Sequence, residues 1–160
     1  SGETFYLQGR ALRLKVIRAS KEQLYSDGVH LFLEVKDPQD FSKKERMVMR
    51  FFDRQCKEVF GEIVEELYPV FQKYGVAVPS LRIRSMDTRW GSCLPGKGVI
   101  TLNKRLLEAP RNCIEYVVMH ELCHFIHPNH SKHFYAFLSM LMPDWKERKK
   151  VLDANDTYYL

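Results

Sequence analysis

The chain has 160 residues, of which 45% are apolar and 28% charged, and carries a formal net charge of +5. Length and balance predict one folded domain spanning residues 1–160 and argue against a low-complexity or disordered chain. No apolar stretch approaches the roughly 20 residues of a membrane span, so no membrane partner is expected, and no signal-peptide pattern opens the sequence.

Strand character dominates the first forty residues. Leu12, Leu14 and Val16 alternate with Arg13 and Lys15, and a turn at Asp27-Gly28 leads into His30–Val35. A long helix follows, from Ser42 to Tyr74. Ser42 and Glu45 have capping-box spacing, and Met49, Phe52, Cys56, Phe60, Ile63, Val64 and Leu67 recur at helical steps. Gly75 is the expected stop, although Pro69 can kink or end the helix earlier.

Strands return at Leu81–Arg84 and Val99–Leu102, flanking Thr88-Arg89-Trp90-Gly91-Ser92-Cys93 and a turn through Pro95–Gly98. Pro110 is expected at the first position of the next helix, which must stop near Pro128. Ser131 caps a further helix carrying Phe134, Phe137, Leu138 and Leu141, and Pro143-Asp144 opens a last, charged one. The pattern is that of an α+β fold: a small antiparallel or mixed sheet, a long backing helix, and a second helix crossing beneath the sheet.

That second helix holds His120-Glu121-Leu122-Cys123-His124. Two histidines four residues apart lie on one helix face, about 6 Å apart along the axis, where one tetrahedral ion meets both imidazoles. Glu121, beside the first ligand, is placed to take a proton from a water at the ion, which makes it the candidate general base. His130 follows just after the helix must stop, and a returning loop brings it in as third ligand. His120, His124 and His130 then leave one position open, as catalytic Zn2+ requires. His127 and His133 are expected at the rim or packed nearby.

Cys56, Cys93, Cys113 and Cys123 form no CxxC pair, so neither a zinc ribbon nor a disulfide framework is expected. Cys93 and Cys123 are expected to pack as small apolar residues. A reducing, cytoplasmic setting is the simplest one.

The segments 88–93, Ile100-Thr101-Leu102-Asn103, 120–124, Asn129-His130-Ser131 and Pro143-Asp144-Trp145-Lys146-Glu147-Arg148 stand in the order found in the YgjP-like metallopeptidase-domain family. The resemblance covers about Leu12 to Leu152. It implies a minimal zincin-like domain, similar to SprT-like and WLM proteases, with His130 in the third-ligand position. It also implies a hydrolase acting on peptide or unfolded protein, or alternatively a UTP-type nucleotide pyrophosphohydrolase.

Arg89, Trp90, Gly91, Ser92 and Asn103 are the candidate substrate-binding residues. A strand edge here can pair with an extended peptide, Gly91 permits close backbone approach, and Arg89 suits a carboxylate or phosphate. Alternatively, Trp90 plugs the core and Arg89 is its structural partner. Arg82, Arg84 and the positive charge favour the nucleotide reading, but no Walker-type loop is present. The scattered basic surface allows weak nucleic-acid contact, without any long block of like charges. A non-enzymatic module with structural zinc would leave Glu121 without a purpose.

Overall fold

The computed structural model describes residues 1–154; residues 155–160, the end of the expected domain, lie outside the described residues. Its elements are β1 (Thr4–Leu7), β2 (Arg10–Arg18), β3 (Gln23–Ser26), β4 (His30–Val35), α1 (Phe41–Gln72), β5 (Ser80–Arg84), β6 (Gly91–Leu94), β7 (Val99–Asn103), α2 (Arg111–Cys123), α3 (Lys132–Leu141) and α4 (Trp145–Asp153). The fold is α+β, with mixed sheets, as the sequence predicts.

There are two sheets rather than one, ordered β1-β2-β4-β3 and β5-β7-β6. In the first, β2 and β4 run parallel while β1 and β3 pair antiparallel at its edges. A β1–β2 hairpin that the pattern did not predict turns on Gln8 and Gly9, both at positive φ (48° and 82°). That turn suits the right-handed twist of paired strands. Its backbone N–H groups donate to Leu107 and Glu108 carbonyls, at 2.8 and 2.9 Å, tying the first sheet to the segment before α2.

α1 is the spine shared by both halves. Phe51 packs on Leu12, Leu14, Leu31 and Leu33 of the first sheet. Phe60, Ile63 and Phe71 enter the larger core with Ile100, Leu102, Ile114 and Val118. The cap lies two residues before the expected Ser42, because Asp40 supplies it, accepting from Lys43 N–H at 3.1 Å, and the helix begins at Phe41. A turn closed by Asp40 N–H to Asp37 C=O, at 3.1 Å, presents Asp40 there first. Pro69 lies inside the helix, and Gly75, at φ 81°, follows its end. Val76 N–H then bonds back to the Phe71 carbonyl at 3.2 Å.

α2 begins at Arg111 with Pro110 as its cap, one position from the expected place. It packs on β6 and β7 and against α1, α3 and α4. Arg148 of α4 is bound to it through Glu115 Oε1 (2.9 Å) and the Asn112 carbonyl (3.1 Å). The 143–148 segment therefore works as a clasp on the back of α2. None of the described helices is long and apolar enough to cross a membrane.

Candidate metal centre

Helix geometry places His120 and His124 on one face of α2, both buried. The chain leaves the helix at His124, turns through Pro128, and presents His130 immediately before the N-cap of α3. That cap is Ser131, whose hydroxyl accepts from Phe134 N–H at 3.3 Å. One nitrogen from each of His120, His124 and His130 lies within 4.8 Å of the others. His124 Nε2 and His130 Nε2 are 3.1 Å apart. Two imidazoles bound tetrahedrally to one ion at about 2.0–2.1 Å have nitrogens roughly 3.3–3.4 Å apart, so the spacing fits a shared ion.

The other ring nitrogen of His124, Nδ1, lies 3.1 Å from the His127 carbonyl. Donation to that oxygen fixes the tautomer and leaves the Nε2 lone pair facing the cluster. Burial is the main cause that lowers the pKa of both His124 and His130, with neighbouring imidazoles adding to the shift at each. Both rings are thereby held in the neutral form a metal needs.

Glu121 is 2% exposed, and its Oε2 lies 3.3 Å from His120 Nδ1. That pair is not aligned as a hydrogen bond, and both atoms are buried without a hydrogen-bond partner. A buried carboxylate oxygen and a buried imidazole nitrogen are costly in that state. Together with the three-imidazole set, they fit a cation and its attendant water. His127 and His133 are not part of the cluster; they stack on each other at 6.2 Å.

Phe134 is a site residue that sequence reading left in the apolar face of α3. Its fully buried ring lies 4.9, 4.6 and 5.1 Å from the rings of His120, His124 and His130, and is stacked on His124 at 26°. One aromatic plate thus seats all three candidate ligands. The readable signal was its position at the N3 position after Ser131, so that the cap orients plate and loop together.

The 89–92 segment and Asn103 lie on the sheet side of α2. Gly91 opens β6 and packs on α2. A Cβ there would lie 3.2 Å from Val117 Cγ1, 3.3 Å from Glu121 Cγ and 3.2 Å from the Thr101 carbonyl. The close backbone approach expected at Gly91 is therefore made by the metal helix. Trp90 is 4% exposed, in the core. Arg89 is exposed and acts electrostatically on His130. Ser92 pairs with Thr101 on β7, and β6 is an edge strand.

Asn103 differs from its expected substrate-binding role. It is 2% exposed, its amide donates to the Met86 and Arg89 carbonyls at 3.0 and 2.8 Å, and its Oδ1 accepts from Arg105 N–H at 3.0 Å. With its amide committed to backbone, Asn103 holds the 86–89 loop against β7. Arg82 and Arg84 are exposed on β5, the opposite edge strand of the sheet. Cys93 and Cys123 are both pushed up to about 12 by burial and by nearby Glu121. They remain thiols and pack as apolar groups.

The sequence model of the YgjP-like metallopeptidase domain matches residues 1–155. The chain belongs to that family. Membership makes it a metallopeptidase domain, a class that implies a metal ion and a peptide or protein substrate. A search of curated proteins found no match. Among solved structures, the chain is similar in fold to the metallopeptidase zymogen abylysin of Pyrococcus abyssi (TM-score 0.52, 20% identity, covering 62% of this chain and 99% of that one). It is also similar to the jannalysin zymogen of Methanocaldococcus jannaschii (0.51, 21%, covering 60% and 95%). A Wss1 mutant from Saccharomyces cerevisiae gives a TM-score of 0.50 at 15% identity, covering 86% of this chain and 93% of that one. At these identities the likeness is one of fold.

Proposed function

We propose that this single domain is a zinc-dependent peptidase of peptide or unfolded-protein substrates, with His120, His124 and His130 as ligands and Glu121 as general base. The observation that carries the reading is the buried Glu121 carboxylate, whose Oε2 has no hydrogen-bond partner, beside three convergent imidazoles. Zinc, when bound, supplies a Lewis acid that polarises the scissile carbonyl and acidifies water. The all-imidazole donor set suits zinc better than magnesium or calcium, which prefer oxygen ligands.

The chain's own groups do the rest. Glu121 accepts the proton of the attacking water and returns it to the leaving amine. Phe134 and the Asn103-held loop keep the rings and β6 in place, and α2 packed under Gly91 keeps Glu121 buried. The free edge of β6 can take an extended peptide as an added strand, with Arg89 at the rim beside His130. Four free cysteines suit a reducing, cytoplasmic setting.

Purified zinc-loaded protein should cleave unfolded protein and leave UTP and other nucleoside triphosphates intact, with Glu121→Gln as the inactive control. Triphosphate hydrolysis lost in that control would transfer the reading to a nucleotide pyrophosphohydrolase. His130→Ala should release the metal on dialysis, read by atomic absorption, whereas His127→Ala and His133→Ala should retain it. The opposite result would displace His130 as third ligand.

A further inference from the structure

The four-stranded sheet has two faces, and α1 covers one of them. Alternation along the strands sends Phe5, Leu12, Leu14, Leu31 and Leu33 into that interface. The opposite set includes Tyr6, Arg13, Lys15, Tyr25, His30 and Phe32. Among the described residues, the Lys104–Glu108 turn meets this sheet at its β1 edge, where Tyr6 shares a hollow with Arg105 and Glu108, and the β4–β3 side of the opposite face carries no further helix. A solvent-facing side of such a sheet is ordinarily polar. Here Tyr6 and Tyr25 are 51% and 42% exposed.

The aromatic groups are organised. Tyr25 stacks on Phe32 with centroids 5.2 Å apart and planes at 28°, and His30 lies 5.6 Å from Phe32. In register, Phe32 lies between Tyr25 on β3 and Lys15 on β2, while Arg13 faces His30. A row of rings is therefore bordered by cations. On this face β2 presents Arg13 and Lys15, and the strand holds no acidic residue. Two acids stand at the edge of the row and keep their charge, Glu34 accepting from the Gln23 amide and Asp27 accepting from Val29 and His30 N–H at 2.9 and 2.6 Å, so the cations that face a polyanion are those on the β2 side.

We propose that this face binds single-stranded nucleic acid, with bases stacking on Tyr25 and Phe32 and phosphates meeting Arg13 and Lys15. Tyr25 is the exposed ring, backed by the half-buried Phe32, and such a platform can engage only bases whose faces are free, which a duplex hides. The bordering cations give the polyanion a track across β2. The site lies on the first sheet, whereas the metal centre lies on α2 and its following loop, and the proposal does not depend on the peptidase reading.

The test is fluorescence anisotropy of the full chain with labelled oligo-dT and oligo-rU of equal length, against a duplex of that length, at low and raised salt. Both single strands should bind, more tightly than the duplex, and lose affinity steeply with salt. Tyr25→Ala should lower affinity roughly tenfold or more, the range of one base–aromatic stack, while Tyr25→Phe retains most of it. The double variant Arg13→Ala/Lys15→Ala should flatten the salt dependence. Lys146→Ala/Lys150→Ala on α4, which carries four cations, should change neither. All five positions are surface sites, and far-UV circular dichroism checks that each variant is folded. The proposal is overturned by absence of binding at low salt, by a duplex binding as tightly as the single strands, or by loss in the α4 variant with retention in the sheet variants. It is also overturned if the sheet variants instead abolish a concentration-dependent self-association, which would make this face a contact between copies of the chain.

Discussion

α1 and α2 are built on opposite terms. α1 buries seven of its 32 residues, all apolar, and leaves its charges in water. α2 buries ten of its 13, including His120 and Glu121, whose Nδ1 and Oε2 lack hydrogen-bond partners. Apolar burial in α1 contributes stability at little polar cost. α2 spends stability to hold two ionisable groups out of water, which makes sense only if an ion and a substrate engage them. Substitutions of the buried α1 residues should therefore cost stability and spare the site, and those at His120 and Glu121 of α2 should do the reverse.

The largest separation is expected at Glu121. Glu121→Gln should lower peptide hydrolysis by about two to four orders of magnitude while zinc content stays near that of the parent. The metal-free variant should melt no lower than the metal-free parent, because a buried, unpartnered carboxylate has been replaced by a neutral amide. A folded, zinc-loaded variant hydrolysing at the parental rate would break the assignment.

Phe60 is the counterpart in α1. Phe60→Ala should cost about 3–5 kcal/mol in denaturant unfolding, since the ring is fully buried and leaves a cavity. Under conditions where the variant remains folded, its activity per bound zinc should match the parent. A proportional fall in specific activity would show that α1 reaches into the site.

Gly91→Ala tests the contact between sheet and metal helix. The added methyl meets Val117, Glu121 and the Thr101 carbonyl at 3.2–3.3 Å, tight enough to cost about 1–3 kcal/mol. Because the displaced atoms include Glu121, kcat should drop about tenfold or more while metal content holds. Loss of stability with kcat unchanged would reduce Gly91 to a packing residue. The smallest effect is expected at Asp40→Ala, which removes the α1 cap at a cost of about 1 kcal/mol and should leave kcat and KM alone. Thermal melts with parallel kinetics would check both.

The same contrast governs what was legible. α1 shows because its apolar residues repeat at helical steps, and its start was misplaced because Asp40 and Ser42 both suit a cap and the Asp37–Asp40 turn chose between them. The β1–β2 hairpin was missed because Gln8, a residue seldom used at positive φ, shares its turn with Gly9. The two-sheet division was missed because strand pairing is a contact between distant segments.

Local spacing by itself determined that His120 and His124 share a helix face and that Glu121 stands beside them, since a four-residue step along a helix is set by backbone geometry. It also determined that the chain must turn near Pro128, which brought His130 into consideration. Only the tertiary structure decided that Phe134 seats all three imidazoles, that Gly91 is empty of side chain for the sake of α2, and that Asn103 faces backbone rather than a ligand. Each of those depends on which surface an element meets when it packs, and residues far apart in sequence supply that surface.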